Sequence, residues 1–308
     1  MTAFLCLVVA HLECPDIRLL VEIAFGQFYE HLVTRLATMP IKLATRLGRL
    51  GVRVEEGPKR VAVLWHSFFV DSHSWDRVVP VLTRLRTVVL IDGPSFGASD
   101  PLTRQATIAD CAIATFDVLD SLGIDRVDWV GNGWGGQVGI AAAVEEPRRI
   151  RSLVSIGAPT TPLAGRERRD LAAALPFVRL FGFPAPVQVR LLRSIMTERT
   201  IAVDAEAVRI VKNGFLSADR RGFVRAARSF VLDRPSLDDA AVAVEAPTVF
   251  VAGDSRTGWG PAEAERVTNR MMNARTRTLH GVRNIAPLED ADAVAGIVRE
   301  HWAANARR

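Results

Sequence analysis

One stretch near the middle of the chain limits the possible folds more than any other. Residues 128–136 read DWVGNGWGG, and residues 137–143 continue in small and apolar types. An apolar strand therefore runs through a glycine-rich turn into a helix of small residues. In a strand–turn–helix of this kind, a catalytic Ser, Cys or Asp normally occupies the middle of the turn. Here that position is Gly133, which has no side chain.

From Gly51 onward the chain alternates between short strands and helices. The predicted strands are β-branched runs bounded by turn residues: Val61–Trp65, Val88–Ile91, Val127–Val130, Leu153–Ile156, Thr248–Ala252 and Thr276–Leu279. The predicted helices lie between or after them: Thr107–Leu122, Gly135–Glu145, Ala262–Met272 and Ala291–Ala304. This alternation predicts an α/β fold with a mainly parallel sheet and helices on both faces.

Two segments depart from the alternation. Residues 160–235 are rich in arginine, have helical periodicity and contain no good strand. We predict that they form a helical lid over the carboxyl ends of the strands, where open α/β sheets bind ligands. Residues 1–50 are predicted to form an N-terminal helical extension, since helical periodicity runs through 17–50. The predicted core is then residues 51–159 and 236–308.

The second half of that extension contains several basic residues: Arg35, Lys42, Arg46 and Arg49. On a helix they would form a basic face, and we expect it to pack on the domain or on a second subunit. Contact with a membrane surface is the less favoured alternative. The apolar run Ala3–Leu12 is too short to span a bilayer and lacks the features of a signal peptide.

Charge and cysteine content argue against several classes of protein. The formal net charge is +5, but the basic residues are spread out and form no block typical of nucleic-acid binding. We therefore expect no nucleic-acid partner. The three cysteines show no CxxC spacing, which argues against a disulfide framework or a zinc site. We expect a cytoplasmic protein with neither a metal nor a cofactor.

Four further motifs accompany the glycine-rich turn, and they follow one another in a consistent order. They are LWHSF at 64–68, IDGPSFGASD at 91–100, PTVFVAG at 247–253 and PLE at 287–289. Together with the turn at 131–136 they resemble the α/β-hydrolase family, and most closely its lidded members such as epoxide hydrolases, haloperoxidases and C–C hydrolases. The resemblance covers about Gly51 to the C-terminus. It implies the α/β-hydrolase fold, with a mainly parallel central sheet and a helical lid insertion.

The resemblance also assigns positions to the family's catalytic triad, which needs a nucleophile, a base and a carboxylate that orients the base. These positions are Gly133, Asn284 and Arg256, so all three residue types are changed. Asp254 is an alternative acid, and His280 is an alternative base only if its loop rearranges. We do not expect orthodox serine hydrolase activity. Glycine at 133 would also relieve the backbone strain that the turn imposes on other residues.

Some parts of such a site do not depend on the triad side chains. The family's oxyanion hole consists of backbone N–H groups, which here would belong to Trp134 and to Ser67 or Phe68. His66, at the end of its strand, is expected to support the loop by hydrogen bonding. Arg256 in place of an acid would make the pocket more attractive to an anion.

The predicted function is that of a hydrolase-like pseudoenzyme that binds a small, partly apolar molecule under the lid, with Arg256 accommodating an anion. One alternative is a hydrolase or lyase-type enzyme that acts on a small carbonyl or ester substrate without a covalent intermediate. It would use Ser67, Asn284 or backbone donors, or Asn132, which is expected to lie in the pocket near the oxyanion hole. The other alternative is a scaffold or partner subunit that uses the extension and the lid. The oligomeric state stays open.

The same glycines also match a nucleotide-binding fingerprint, GxGxxG, at Gly131, Gly133 and Gly136. In dinucleotide-binding proteins an acidic residue follows about 20 positions later, at the end of the next strand. Residues 156–158 are Ile-Gly-Ala, so that acid is missing. Dinucleotide binding is therefore disfavoured.

Overall fold

The β-branched runs form the middle of an eight-stranded sheet. The computed structural model describes residues 40–255 and 259–306, and its sheet has the order β1-β2-β4-β3-β5-β6-β7-β8. The strands are β1 (Ile41–Thr45), β2 (Gly48–Glu55), β3 (Val61–Trp65), β4 (Thr87–Ile91), β5 (Val127–Asn132), β6 (Ile150–Ile156), β7 (Thr248–Gly253) and β8 (Ala274–Leu279). Strands β3 to β8 are parallel, whereas β1 and β2 pair antiparallel at one edge.

Helices pack against both faces of this sheet. Alternate residues of β3 enter two different cores: Val63 and Trp65 join one, and Ala62 and Leu64 join the other. The helices outside residues 160–235 are α1 (Val79–Leu82), α2 (Ile108–Ser121), α3 (Trp134–Glu145), α9 (Asp238–Val242), α10 (Pro261–Thr268), α11 (Ala286–Glu289) and α12 (Ala291–Ala304). Short 3-10 turns occupy Ser72–Trp75 and Pro147–Arg149. The predicted mainly parallel sheet with helices on both faces is confirmed.

Residues 160–235 connect β6 to β7 and contain helices but no strand, as predicted. We call this segment the helical insertion. Its helices are α4 (Gly165–Phe181), α5 (Ala185–Ile195), α6 (Glu198–Val203), α7 (Ala205–Leu216) and α8 (Arg220–Ala227), followed by a π-helical turn at Arg228–Leu232. Arg77 anchors the insertion to the core, since its Nη2 donates to Asp204 Oδ1 at 2.8 Å. The insertion follows the carboxyl end of β6, which is the end of the sheet where α/β proteins bind ligands.

The predicted N-terminal helix is wrong for residues 41–50, and residues 1–39 lie outside the described part of the chain. Residues 41–55 form the β1–β2 hairpin, and β2 pairs with β4 along Val52–Glu55. Pairing with the edge of the sheet satisfies the backbone hydrogen bonds and buries Leu50 and Val52, which outweighs a helical periodicity. The core therefore begins before Gly51. Within the described residues, no helix has the length and apolar character needed to cross a membrane.

Lys42, Arg46 and Arg49 pack on the domain, as expected, but from a hairpin and not from a helix; Arg35 lies outside the described residues. Arg46 pairs with Asp117 of α2 at 3.0 Å, and Arg49 and Lys42 both pair with Asp100, at 2.9 and 3.0 Å. The hydrogen bonds from Arg49 and Lys42 lower the pKa of Asp100 to about 2. The charges tie the hairpin to the domain rather than forming a free basic face.

The turn between β5 and α3 depends on a very close approach of backbones. An ideal Cβ on Gly135 would lie 2.6 Å from the carbonyl carbon of Trp65, well inside van der Waals contact. In the native turn the Gly135 N–H donates to the His66 carbonyl at 3.1 Å. The first turn of α3 is thus held directly against the end of β3 because Gly135 has no side chain.

We expect Gly135→Ala to lower the free energy of unfolding by about 2 kcal/mol or more, since the methyl group would overpack against backbone that has little freedom to move. Gly296→Ala is the matched control, because a Cβ there meets nothing within 4 Å in α12. The control should be neutral or should stabilise by about 0.5–1 kcal/mol. Urea denaturation of both variants measures the difference, and equal effects would contradict the close packing.

Candidate functional site

Gly133 has the backbone conformation of a strained strand-to-helix turn. Its φ is 54° and its ψ is −112°, in a region that residues with a Cβ rarely adopt. The Gly133 N–H donates to the Ile156 carbonyl at 2.7 Å, which ties the turn to the end of β6. Glycine at this position avoids a strain of about 1–3 kcal/mol that another residue would carry.

Ser67 occupies the space that a side chain on residue 133 would need. An ideal Cβ on Gly133 would overlap Ser67 Oγ and lie 3.1 Å from Ser67 Cβ. The described residues provide no hydrogen-bond partner for Ser67 Oγ. The turn therefore lacks its own side chain, but a hydroxyl from the neighbouring loop lies beside it.

Two backbone donors remain unpaired next to this hydroxyl. The N–H groups of Phe68 and Trp134 have no acceptor within the described ranges. Trp134 is the first residue of α3, so its N–H also lies at the positive end of the dipole of a 12-residue helix. This arrangement can accept the oxygen of a carbonyl or a carboxylate.

These groups line a cavity of about 480 Å³. The core contributes Ser67, Phe68, Gly133, Trp134 and Asn284, and the helical insertion contributes residues that include Thr161, Leu163, Glu167, Ile195, Phe230, Val231 and Arg234. The Trp134 ring stacks on Phe230 of the π-helical turn, with centroids 4.7 Å apart. The walls are therefore largely apolar, with a few polar groups.

His66 does not line the cavity, and its ring bonds to the loops that follow β3 and β4. Its Nε2 accepts from the Gly93 N–H at 2.8 Å, so the proton lies on Nδ1, which donates to the Ser67 carbonyl at 2.7 Å. Burial lowers the pKa of this imidazole. Both ring nitrogens are thus engaged in a neutral ring, which matches the supporting role expected for His66.

Asn284, at the position where the resemblance places the base, is held by backbone contacts. Its N–H donates to the Ile195 carbonyl at 3.2 Å, and its Nδ2 donates to the Ser194 carbonyl at 3.3 Å. Its Oδ1 is buried without a hydrogen-bond partner. An amide side chain is not a general base, so this position offers polarity and no proton acceptor of useful strength.

Asn132 does not line the cavity, although the sequence predicts it near the oxyanion hole. It is 1% exposed, and its Nδ2 donates to the carbonyls of Ile156 and Asn284, at 3.2 and 3.1 Å. It therefore connects β6 to the loop that contains Asn284. Glu289 supports the same loop by accepting from the Arg283 N–H at 2.8 Å.

The two alternative triad residues do meet, but outside the cavity. His280 Nδ1 lies 2.8 Å from Asp254 Oδ2, and the Gly281 N–H donates to Asp254 Oδ1 at 2.8 Å. The His280 side chain is 84% exposed, and neither residue lines the cavity. The hydrogen bond from His280 lowers the pKa of Asp254. Arg256 lies outside the described residues.

Sequence reasoning missed Arg234, a buried cation in the cavity wall. It is 5% exposed, and its guanidinium donates to the carbonyls of Thr160, Thr161 and Pro235. Burial lowers its pKa to about 10. Nothing in the spacing of the insertion's many arginines identifies which of them is buried.

No group of three or more potential metal-ligating side chains occurs among the described residues.

Comparison with known proteins identifies the family. A model of the alpha/beta hydrolase fold matches residues 62–241, which is more than half of the chain. A hydrolase of 2-hydroxy-6-oxononadienedioate and 2-hydroxy-6-oxononatrienedioate from Pseudomonas putida is 34% identical over 152 residues, covering 47% of each chain. A strigolactone esterase from Pisum sativum is 31% identical over 116 residues, covering 36% of this chain and 43% of the esterase. The chain thus matches less than half of the length of these relatives.

Solved structures are similar over nearly their whole length. The enol-lactonase from Burkholderia xenovorans has a TM-score of 0.78 at 20% identity, covering 85% of this chain and all of the lactonase. A thermophilic esterase from Thermogutta terrifontis has a TM-score of 0.77 at 21% identity, covering 86% and 98%. At such identities the likeness establishes the fold alone.

We expect Gly133→Ser to lower the free energy of unfolding by at least about 1–3 kcal/mol, because the new side chain adds backbone strain and overlaps Ser67. Adding Ser67→Gly should recover the part of the loss that comes from the overlap, leaving the strain. Chemical denaturation of both single variants and the double variant gives the coupling free energy between residues 67 and 133. Strictly additive effects would mean that Ser67 does not fill the space beside Gly133.

Proposed function

The chain belongs to the α/β-hydrolase family, and from that premise we propose that it is a pseudoenzyme whose pocket binds a small, partly apolar molecule through a carbonyl or carboxylate oxygen. The ligand would occupy the cavity lined by Ser67, Trp134 and the helical insertion. It would be held there without forming a covalent intermediate.

The unpaired N–H groups of Phe68 and Trp134 carry this proposal. An amide N–H that is shielded from water and has no acceptor is costly, and a ligand oxygen would remove that cost. The Ser67 hydroxyl beside Gly133 adds a third donor at the same place. Because these groups belong to the backbone and to a neighbouring loop, they remain when the nucleophile's side chain is absent.

No histidine among the described residues lines the cavity, which supports binding rather than turnover. A serine hydroxyl attacks a carbonyl only when a neighbouring group takes its proton. His66 has both nitrogens in hydrogen bonds with the loop, and His280 is exposed outside the cavity. Asn284 occupies the position where the resemblance places the base, and its amide side chain is not a base. None of the three can activate Ser67 in this arrangement.

The helical insertion acts as a lid in this proposal. It supplies one wall of the cavity, and the stacking of Phe230 on Trp134 brings that wall against the first residue of α3. A lid that excludes water would strengthen the few hydrogen bonds that orient the ligand. Opening of the insertion would then control entry to the cavity.

The second candidate function is a hydrolase that does not use the triad. The names of the relatives favour it, since the similar proteins from Pseudomonas putida and Pisum sativum are called a hydrolase and an esterase. In that case Ser67 would polarise the substrate carbonyl together with the backbone donors, and water would be the nucleophile.

Activity-based labelling separates the two candidates. We expect no reaction with a fluorophosphonate probe and no turnover of p-nitrophenyl acetate above background, because no base activates Ser67. Ser67→Ala and Gly133→Ala are measured in parallel as controls. Ester turnover that is present in the wild type and lost in Ser67→Ala, without labelling, would contradict the pseudoenzyme proposal and favour the hydrolase that uses water. Labelling that is lost in Ser67→Ala would contradict both candidates, because it would show that Ser67 itself is a nucleophile.

Filling the cavity tests the location of binding. We expect the neutral carbonyl compound 4-phenylbutanamide to bind the wild type, as seen by saturation-transfer NMR. Val231→Trp should abolish the signal, since Val231 lines the cavity. Val189→Trp is the matched control, because Val189 lies on α5 of the same insertion, is 49% exposed and does not line the cavity. Equal binding by both variants would place the ligand elsewhere.

A further inference from the structure

We propose that Arg234 makes this cavity selective for organic acids, by binding a ligand carboxylate through its guanidinium. The inference rests on the proposed function, because it names the chemical class of the molecule bound in the same cavity. The proposed function allows a ligand with either a carbonyl or a carboxylate oxygen. The inference narrows this class to carboxylates that have an aromatic or otherwise apolar body.

Arg234 is a buried cation without an acidic partner. It is 5% exposed, and no carboxylate of the described residues forms an ion pair with it. Asp238 acts on the Arg234 pKa electrostatically, but Asp238 is itself paired with Arg266 at 2.9 Å. An unpaired buried charge is costly, and such charges in proteins are normally compensated by a counterion.

The guanidinium is held in place by three backbone carbonyls, which still leaves donors for a ligand. Nη1 donates to the carbonyls of Thr160 and Pro235, at 3.3 and 3.0 Å, and Nη2 donates to that of Thr161. Arginine has five N–H donors. The Nε–H and one Nη2–H therefore remain without an acceptor among the described residues. Adjacent donors of this kind suit the two oxygens of a carboxylate.

The charge of Arg234 persists at neutral pH. Burial lowers its pKa only to about 10, so the guanidinium stays protonated around pH 7. Glu167 is the other charged side chain among the described lining residues, but it is exposed and forms no ion pair with Arg234. The buried part of the wall therefore carries a positive charge, which favours an anion over a cation.

The remaining wall indicates what the rest of the ligand is like. Aromatic side chains line much of the cavity: Phe68, Phe69, Trp134, Phe230 and Trp259. Such a wall buries an apolar or aromatic body, whereas a small inorganic anion would leave it in contact with water. A cavity of about 480 Å³ accommodates an acid of this kind.

A matched pair of probes tests the inference. We compare 4-phenylbutyrate with 4-phenylbutanamide, which differ in charge but have nearly the same shape, by calorimetric titration of the full-length protein at constant ionic strength. The wild type should bind the acid at least tenfold more tightly than the amide. Arg234→Met should lose this preference while still binding the amide. Circular dichroism and thermal unfolding establish that the variant is folded.

Arg225→Met is the control variant, because Arg225 also lies in the helical insertion and donates to a backbone carbonyl but does not line the cavity. It should keep the preference for the acid. Equal binding of acid and amide by the wild type would overturn the role of Arg234 but would leave the proposed pocket intact. Because this comparison uses only the wild type, it does not depend on the folding of a variant. Binding of neither probe would count against the proposed function itself.

Discussion

The candidate site depends on how closely the first turn of α3 approaches the end of β3. Gly135 lies directly on the carbonyl of Trp65 and donates to that of His66, so the two loops that meet in the cavity are joined by backbone contacts. This contact holds the first turn of α3, which begins at Trp134, against the loop that contains Ser67 and Phe68. A side chain at residue 135 would push the first turn of α3 away from the end of β3.

The turn between β5 and α3 has the strained backbone of a strand-to-helix turn, with a glycine at its centre. Gly133 retains the positive φ of the turn, and the hydroxyl beside it comes from Ser67 on the adjacent loop. Among the described residues the cavity has hydrogen-bond donors, whereas Asn284 occupies the position where the resemblance places the base and His280 lies outside the cavity. A site that is rich in donors and lacks a base is suited to holding an oxygen rather than to attacking a carbon.

Local patterns in the chain were sufficient to predict most of the sheet. Val61–Trp65 and Ala291–Ala304 have the bounds that periodicity predicts, because continuous β-branched runs and an uninterrupted helical pattern are hard to satisfy in another way. The hairpin at 41–55 was missed because its helical periodicity competes with pairing to β4, an interaction between residues far apart in sequence. The position of Asn132 was also wrong, since the direction of a side chain at the end of a strand depends on its neighbours.

Residue types and their spacing were enough to identify the family, the order of the strands along the chain, the glycine-rich turn and the residues Gly133, Ser67 and Asn284. These features are local, because they follow from residue type and spacing. Packing of distant segments placed Ser67 beside Gly133 and brought His280 to Asp254 away from the cavity. Packing also buried Arg234 with no ion-pair partner among the described residues. Burial and contact are properties of distant segments brought together by packing, so a single residue's neighbours in the chain do not reveal them.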